Sequence, residues 1–136
     1  MEIMTRSEMA RKCGVHIETL RYYETKKLMD SPKRSESGYR LYTMADAVKI
    51  RFIKNAQKLG FTLNEISDLL KLRIYKEKSC DKAMVKAQEK LEDIENKIKT
   101  LNIIKMALKE LIKQCEESTP TTGCPILSKF ETKNIL

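Results

Sequence analysis

The side chains with the most chemical reach in this chain are its four cysteines, Cys13, Cys80, Cys115 and Cys124, and its single histidine, His16. There is no C-x2-C pair and no second His, so ligand count excludes a self-contained zinc finger. The lone His also lies far along the chain from the later thiols, which leaves no Ser/His/Asp or Cys/His arrangement for nucleophilic catalysis. No enzymatic activity and no catalytic residue are expected. Cys115 and Cys124 bracket eight residues, a span short enough for both sulfurs to reach one ion. Cys80 lies 35 residues before Cys115, about 52 Å along a continuous helix, whereas thiolates sharing a metal sit within about 2.3 Å of it. One chain cannot bring all three together.

An antiparallel dimer can. With the two-fold axis near residue 97 or 98, Cys80 of one subunit falls beside Cys115 and Cys124 of the other, and symmetry makes the three-thiolate site twice. Such soft donors select thiophilic ions over Mg, Ca or Mn. Cys124 precedes Pro125, a favoured first helical residue, so backbone amides there favour the thiolate. Asp81, Glu116 or Glu117 could add an oxygen. Two other readings stay open: each thiol as a small core residue, or Cys115 and Cys124 as a thiol-redox switch that closes a disulfide. Cys13, at a helix-turn junction, is assigned to packing.

The elements that must hold these residues follow from periodicity. From Ser79 to Gln114 there is no Gly or Pro, and Met84, Ala87, Leu91, Ile94, Ile98, Leu101, Leu108 and Ile112 recur in steps of three and four, interrupted at Lys105. This is a coiled-coil seam that a solitary helix cannot bury, so it requires a partner helix, most simply a second copy. Ile103, Ile104 and Leu111 widen the stripe enough to pack on the other subunit's N-terminal domain. Upstream, two short helices at 5–12 and 16–25 flank Gly14 as a helix-turn-helix. Pro32 and the turn-rich Ser35–Gly38 precede an alternating strand that forms a wing. Thr43 caps a helix ended by Gly60, and Thr62 with Glu65 opens another. The expected fold is mainly α: an N-terminal winged helix-turn-helix, a long antiparallel coiled-coil dimerisation helix and a short metal-binding tail. Its parts are residues 1–72 (helix-turn-helix about 6–25, wing about 31–42), 73–114 for linker and dimerisation helix, and 115–136 for the metal-binding loop and tail.

Charge divides the same way. The 136 residues carry 27 Lys and Arg against 19 Asp and Glu; residues 1–78 hold 17 and 10 of these, residues 79–136 only 10 and 9. A basic first half joined to a balanced second half points to double-stranded DNA as the partner of the first. The second helix offers His16, Thr19, Arg21, Tyr22 and Tyr23, with Leu20 and one of the two tyrosines packed inside. The wing offers Arg34, Tyr39, Arg40 and Tyr42, beside Lys33, as backbone clamps. A homodimer presenting two such readers implies an inverted-repeat operator. The N-terminus lacks a signal-peptide core and no apolar run matches a bilayer, so a cytoplasmic location and no membrane association are expected.

The segments ARKCGVHIETLRYYE, SGYRLY and FIKNAQKLGFTLNEISDLL, followed by the long helix, resemble the MerR family of transcriptional regulators over about the first 115 residues. The resemblance implies a dimer seated on an inverted repeat inside an over-long promoter spacer. It represses without effector and, when effector binds, activates RNA polymerase by untwisting and bending the DNA. Cys80, Cys115 and Cys124, the last followed by Pro125 and Ile126, resemble the mercury-responsive members, which implies Hg(II) as effector and a mercury-resistance operon as target. Copper(I) sensors carry Ser where Cys80 stands. Zinc sensors have a second ligand beside the first tail Cys and a His in the loop, whereas here Glu116 follows Cys115 and the loop has no His. Iron-sulfur sensors cluster four Cys in the tail, and drug sensors append a further domain. Lead and cadmium sensors share the three-cysteine layout, leaving Pb(II) or Cd(II) as alternative effectors.

Overall fold

Three tetrads in the first half, Thr5-x-x-Glu8, Thr43-x-x-Asp46 and Thr62-x-x-Glu65, each place a hydroxyl and a carboxylate where they answer the free amides at the start of a helix. In the computed structural model, which describes residues 3–30, 32–74, 78–119 and 123–136, all three start helices. The Thr5 amide donates to Glu8 at 3.3 Å and the Glu8 amide to the Thr5 hydroxyl at 3.3 Å. The Thr43 amide donates to Asp46 at 2.8 Å. The Thr62 amide donates to Glu65 at 2.8 Å, and the Glu65 amide returns to the Thr62 hydroxyl at 3.2 Å. The helices that follow are α1 (Arg6–Cys13), α3 (Met44–Lys58) and α4 (Leu63–Ile74), with α2 (Ile17–Thr25) after the first turn.

Gly14 ends α1 in the left-handed region at φ 66°, a conformation an L side chain adopts only at a cost of about 1–2 kcal/mol. The Lys54 ammonium donates to the carbonyls of Cys13 at 3.2 Å and Gly14 at 3.0 Å, placing a cation at the negative end of α1. The wing is a hairpin of β1 (Lys33–Arg34) and β2 (Arg40–Leu41), antiparallel, with Lys33 opposite Leu41 and Arg34 opposite Arg40. Its strands are shorter than the alternation from Gly38 to Tyr42 predicts. Tyr42 leaves the hairpin and exchanges backbone hydrogen bonds with Met4 instead, at 2.8 and 2.7 Å. Ser31, where the predicted wing begins, lies outside the described residues, as do residues 75–77 of the predicted linker and 120–122 of the predicted tail loop.

The chain forms two compact units, Met1–Lys86 and Ala87–Leu136. The core of the first joins Met9 from α1, Leu20 and Tyr23 from α2, Tyr42, Ala47, Ile50 and Ile53 from α3, and Ile66 and Leu70 from α4. Residues 47, 50 and 53 share one helical face; Val48 and Leu59 fall off it and are exposed. Each fully buried aliphatic side chain here stabilises the unit by about 1.5–3 kcal/mol. The second unit contains most of α5 (Ser79–Glu117) and all of α6 (Pro125–Phe130). Only Lys90 and Leu111 are buried there among the described residues, while Leu91, Ile98, Leu101, Leu108 and Ile112 are about half exposed or more, Leu101 reaching 62 %. No described helix is both long and apolar enough to cross a membrane.

Candidate metal centre and nucleic-acid interface

The uninterrupted stretch of good helix formers carries α5 two residues past Cys115, so this thiol lies in the last turn of the helix, exposed. Cys124 is the N-cap of α6, and Pro125 occupies the first turn. The Leu127 amide is the strongest influence holding the Cys124 thiol below its ordinary pKa; desolvation opposes it, and hydrogen bonds from the Ile126 amide and the Cys115 side chain assist. The Cys115 side chain thus acts on the Cys124 thiol, which is shifted toward the thiolate, the form that binds soft metals. Cys80 stands one residue into α5, exposed. Among the described residues of one chain, no group of three or more His, Cys, Asp or Glu forms that could hold a metal ion. Cys13 is different in kind: it is buried beside the Met9 sulfur at 3.6 Å, and burial pushes its pKa up against the opposing charges of Arg51, Lys12 and Lys54.

On the basic unit, α2 exposes His16 at its N-cap, Arg21 and Tyr22, with Thr19 half-buried. Arg21 pairs with Glu18 at 2.9 Å across an open surface, a contact weak enough to exchange for a phosphate or base. Lys26 lies 5.6 Å from the Tyr22 ring centre. The wing exposes Lys33, Arg34 and Tyr39. A cleft of about 890 Å³ opens between α2, the start of α1 and the wing, lined by Arg6, Arg21, Arg34 and Arg40 among others.

Two of the residues expected to face DNA do not. Tyr23 is 2 % exposed, its hydroxyl donating to Gln57 at 2.6 Å, which makes it the packed member of the tyrosine pair. Tyr42 is 1 % exposed, and its hydroxyl donates to Glu24. Both rings belong to the core, Tyr23 from the inner face of α2 and Tyr42 from the bridge to Met4, where an aromatic side chain buries more area than it can offer a groove. Glu24 itself, with Arg6, is the feature that motif reading passed over. A carboxylate on the Leu20 face of a short helix needs buried partners, and that position was the available signal.

The helix-turn-helix, wing and long helix can be compared with known proteins. Residues 4–73 match the model of the MerR HTH family regulatory protein, and residues 47–111 match the family's DNA-binding model. The chain belongs to the MerR family. Family members are DNA-binding transcription regulators, and this chain is one. Among relatives, it is 41 % identical to a mercuric resistance operon regulatory protein of Bacillus cereus, over 93 % of this chain and 96 % of that one. Among solved structures, it is similar to a MerR of Bacillus megaterium in complex with mercury(II), with TM-score 0.71, 38 % identity and coverage of 90 % and 95 %. It is also similar to the regulator PbrR691 of Ralstonia metallidurans in complex with lead(II), with TM-score 0.81, 28 % identity and coverage of 92 % and 98 %.

Proposed function

We propose that this MerR-family regulator is a homodimeric Hg(II) sensor that controls a mercury-resistance operon from the cytoplasm, without enzymatic activity. The carrying observation is that Cys115, in the last turn of α5, and Cys124, the N-cap of α6, bracket only eight residues, with the Cys124 thiol shifted toward the thiolate. Their sulfurs are soft donors suited to a thiophilic ion, and a third thiolate, Cys80, is supplied by the second subunit across the seam that a single chain leaves exposed. A bound ion would tie the end of one subunit's α5 to the start of the other's. His16, Thr19, Arg21 and Tyr22 address the DNA from α2, and Arg34, Tyr39 and Arg40 from the wing, in each half of an inverted repeat. Activation requires that Hg(II) bind the activating pose of the dimer more tightly than the repressing one. In vitro transcription with RNA polymerase from the cognate promoter tests this: repression by the metal-free dimer and activation on adding Hg(II) are expected, and unchanged transcription sinks the proposal.

The likeness to a lead-bound relative favours a second reading, in which Pb(II) or Cd(II) is the effector. Backbone similarity reports shape and not donor set, and identity is higher to the mercury-named proteins, which favours Hg(II). Competitive titration of Hg, Pb, Cd and Zn against excess small thiol separates the two. The short spacing of Cys115 and Cys124 also suits a thiol-redox switch; that reading requires an oxidant response independent of metal and of Cys80.

A further inference from the structure

We propose that Glu24 is a positioning residue for DNA binding, its buried carboxylate fixing the wing residue Arg40 against α2 so that the guanidinium meets a DNA phosphate. The Glu24 side chain is 8 % exposed. It accepts from Arg40 and from the Tyr42 hydroxyl, and from Arg6 at 3.3 Å, while Arg6 also donates to the Tyr42 hydroxyl at 3.2 Å. One acidic residue of α2 thus ties together the start of α1, the strand of the wing and the residue that follows it.

The wing cannot hold its own pose. Its strands are two residues each, too short for an independently stable hairpin. Arg34 stands directly opposite Arg40, and like charges facing across a ladder destabilise it. A carboxylate behind Arg40 offsets that repulsion and fixes the angle between wing and α2. Arg40 remains partly open, at 32 % side-chain exposure. It lines the same cleft as Arg6, Arg21 and Arg34. A buried carboxylate facing two arginines leaves a net positive charge at the cleft, so the arrangement orients a cation without cancelling it.

This inference rests on the reading of Arg40 as a phosphate contact, and a double-mutant cycle separates the two. The probe is the duplex that the full-length dimer selects from a random-sequence library, bound in fluorescence anisotropy at several salt concentrations, with folding checked by circular dichroism. Each substitution removes two phosphate contacts from the dimer, one per half-site, which lowers the salt slope by about 1.8 and corresponds to about 30-fold weaker binding at 0.15 M salt relative to a 1 M reference. E24Q and R40Q are each expected to show that loss. Because Glu24 acts through Arg40, the double variant is expected to bind no worse than R40Q, whereas independent roles multiply to about 900-fold. If R40Q binds like wild type, the phosphate reading itself fails and the inference falls with it. If R40Q weakens binding while E24Q binds like wild type or tighter, or the two losses multiply, the positioning role is overturned and the phosphate contact survives. Should E24Q not fold, E24D takes its place in the same cycle: one methylene shorter, it keeps the charge but withdraws it from Arg40.

Discussion

A site assembled from two subunits can be tested by breaking it differently in each. In a C80S homodimer both sites lack the α5 N-terminal thiolate, and in a C115S/C124S homodimer both lack the tail pair. In a mixed dimer the two defects fall in the same site, and the other keeps Cys80 from one chain with Cys115 and Cys124 from its partner. Random pairing makes about half of the dimers mixed, each with one complete site where wild type has two, so about one quarter of three-thiolate occupancy returns. A site within one chain gives no such rescue, because every chain carries a defect. Continuity of α5 from Ser79 to Glu117 sets the distance involved, about 52 Å of helix between Cys80 and Cys115. The assay is Hg(II) retained against excess small thiol by the co-expressed, unfractionated mixture of dimers after gel filtration. Retention equal to the average of the two parent variants refutes the cross-subunit site, as does full retention by C80S alone.

Other consequences are open to direct measurement. Lys27 holds φ 60° without being Gly, so Lys27→Gly is expected to stabilise the N-terminal unit by about 0.5–1 kcal/mol, the left-handed strain relieved less the entropy of glycine, seen as a Tm rise of a few degrees. In the metal-free protein, iodoacetamide should modify the half-buried, thiolate-prone Cys124 well before Cys13, whose burial both shields it and raises its pKa; the thiolate advantage of Cys124 is largest below neutral pH and shrinks as pH rises, and mass spectrometry of timed aliquots that finds Cys13 modified first contradicts it. Leu101→Glu places a carboxylate in the exposed stripe of α5 and is expected to turn the dimer into a monomer at micromolar concentration in sedimentation, with the helix-turn-helix unit still folded.

What could be read ahead of the structure divides along physical lines. Helices of the first unit were legible where an end carries its own signal: Thr43 and Thr62 with their acidic partners cap α3 and α4, and Gly14 stops α1. The long helix was legible from the absence of Gly and Pro. The wing was less so. A short strand owes its length to what it pairs with, and Tyr42 pairs with Met4, 38 residues away, which no local pattern announces. The same separation hid the tyrosines: Tyr22 and Tyr23 are adjacent and chemically alike, and only packing against α3 through Gln57 decides which turns inward.

The metal centre reverses that relation between local and distant information. Cys115 and Cys124 are close in sequence, one in the last turn of α5 and the other at the start of α6, which Pro125 begins. Their partner thiol is beyond any local rule and beyond a single copy of the chain, yet its place could be argued from arithmetic alone, because a helix has a fixed rise and a two-fold axis has only one position that brings residue 80 to residue 115. Glu24 is the opposite case. It carries no spacing motif, sits beside the tyrosine pair that draws the eye, and gains meaning only once Arg6, Arg40 and Tyr42 have been brought to it from three separate segments. Regular geometry makes a distant ligand computable, whereas a buried charge becomes interpretable only through the neighbours that compensate it. The proposed metal centre is therefore argued from spacing, and the proposed device that aims the wing at DNA only from packing.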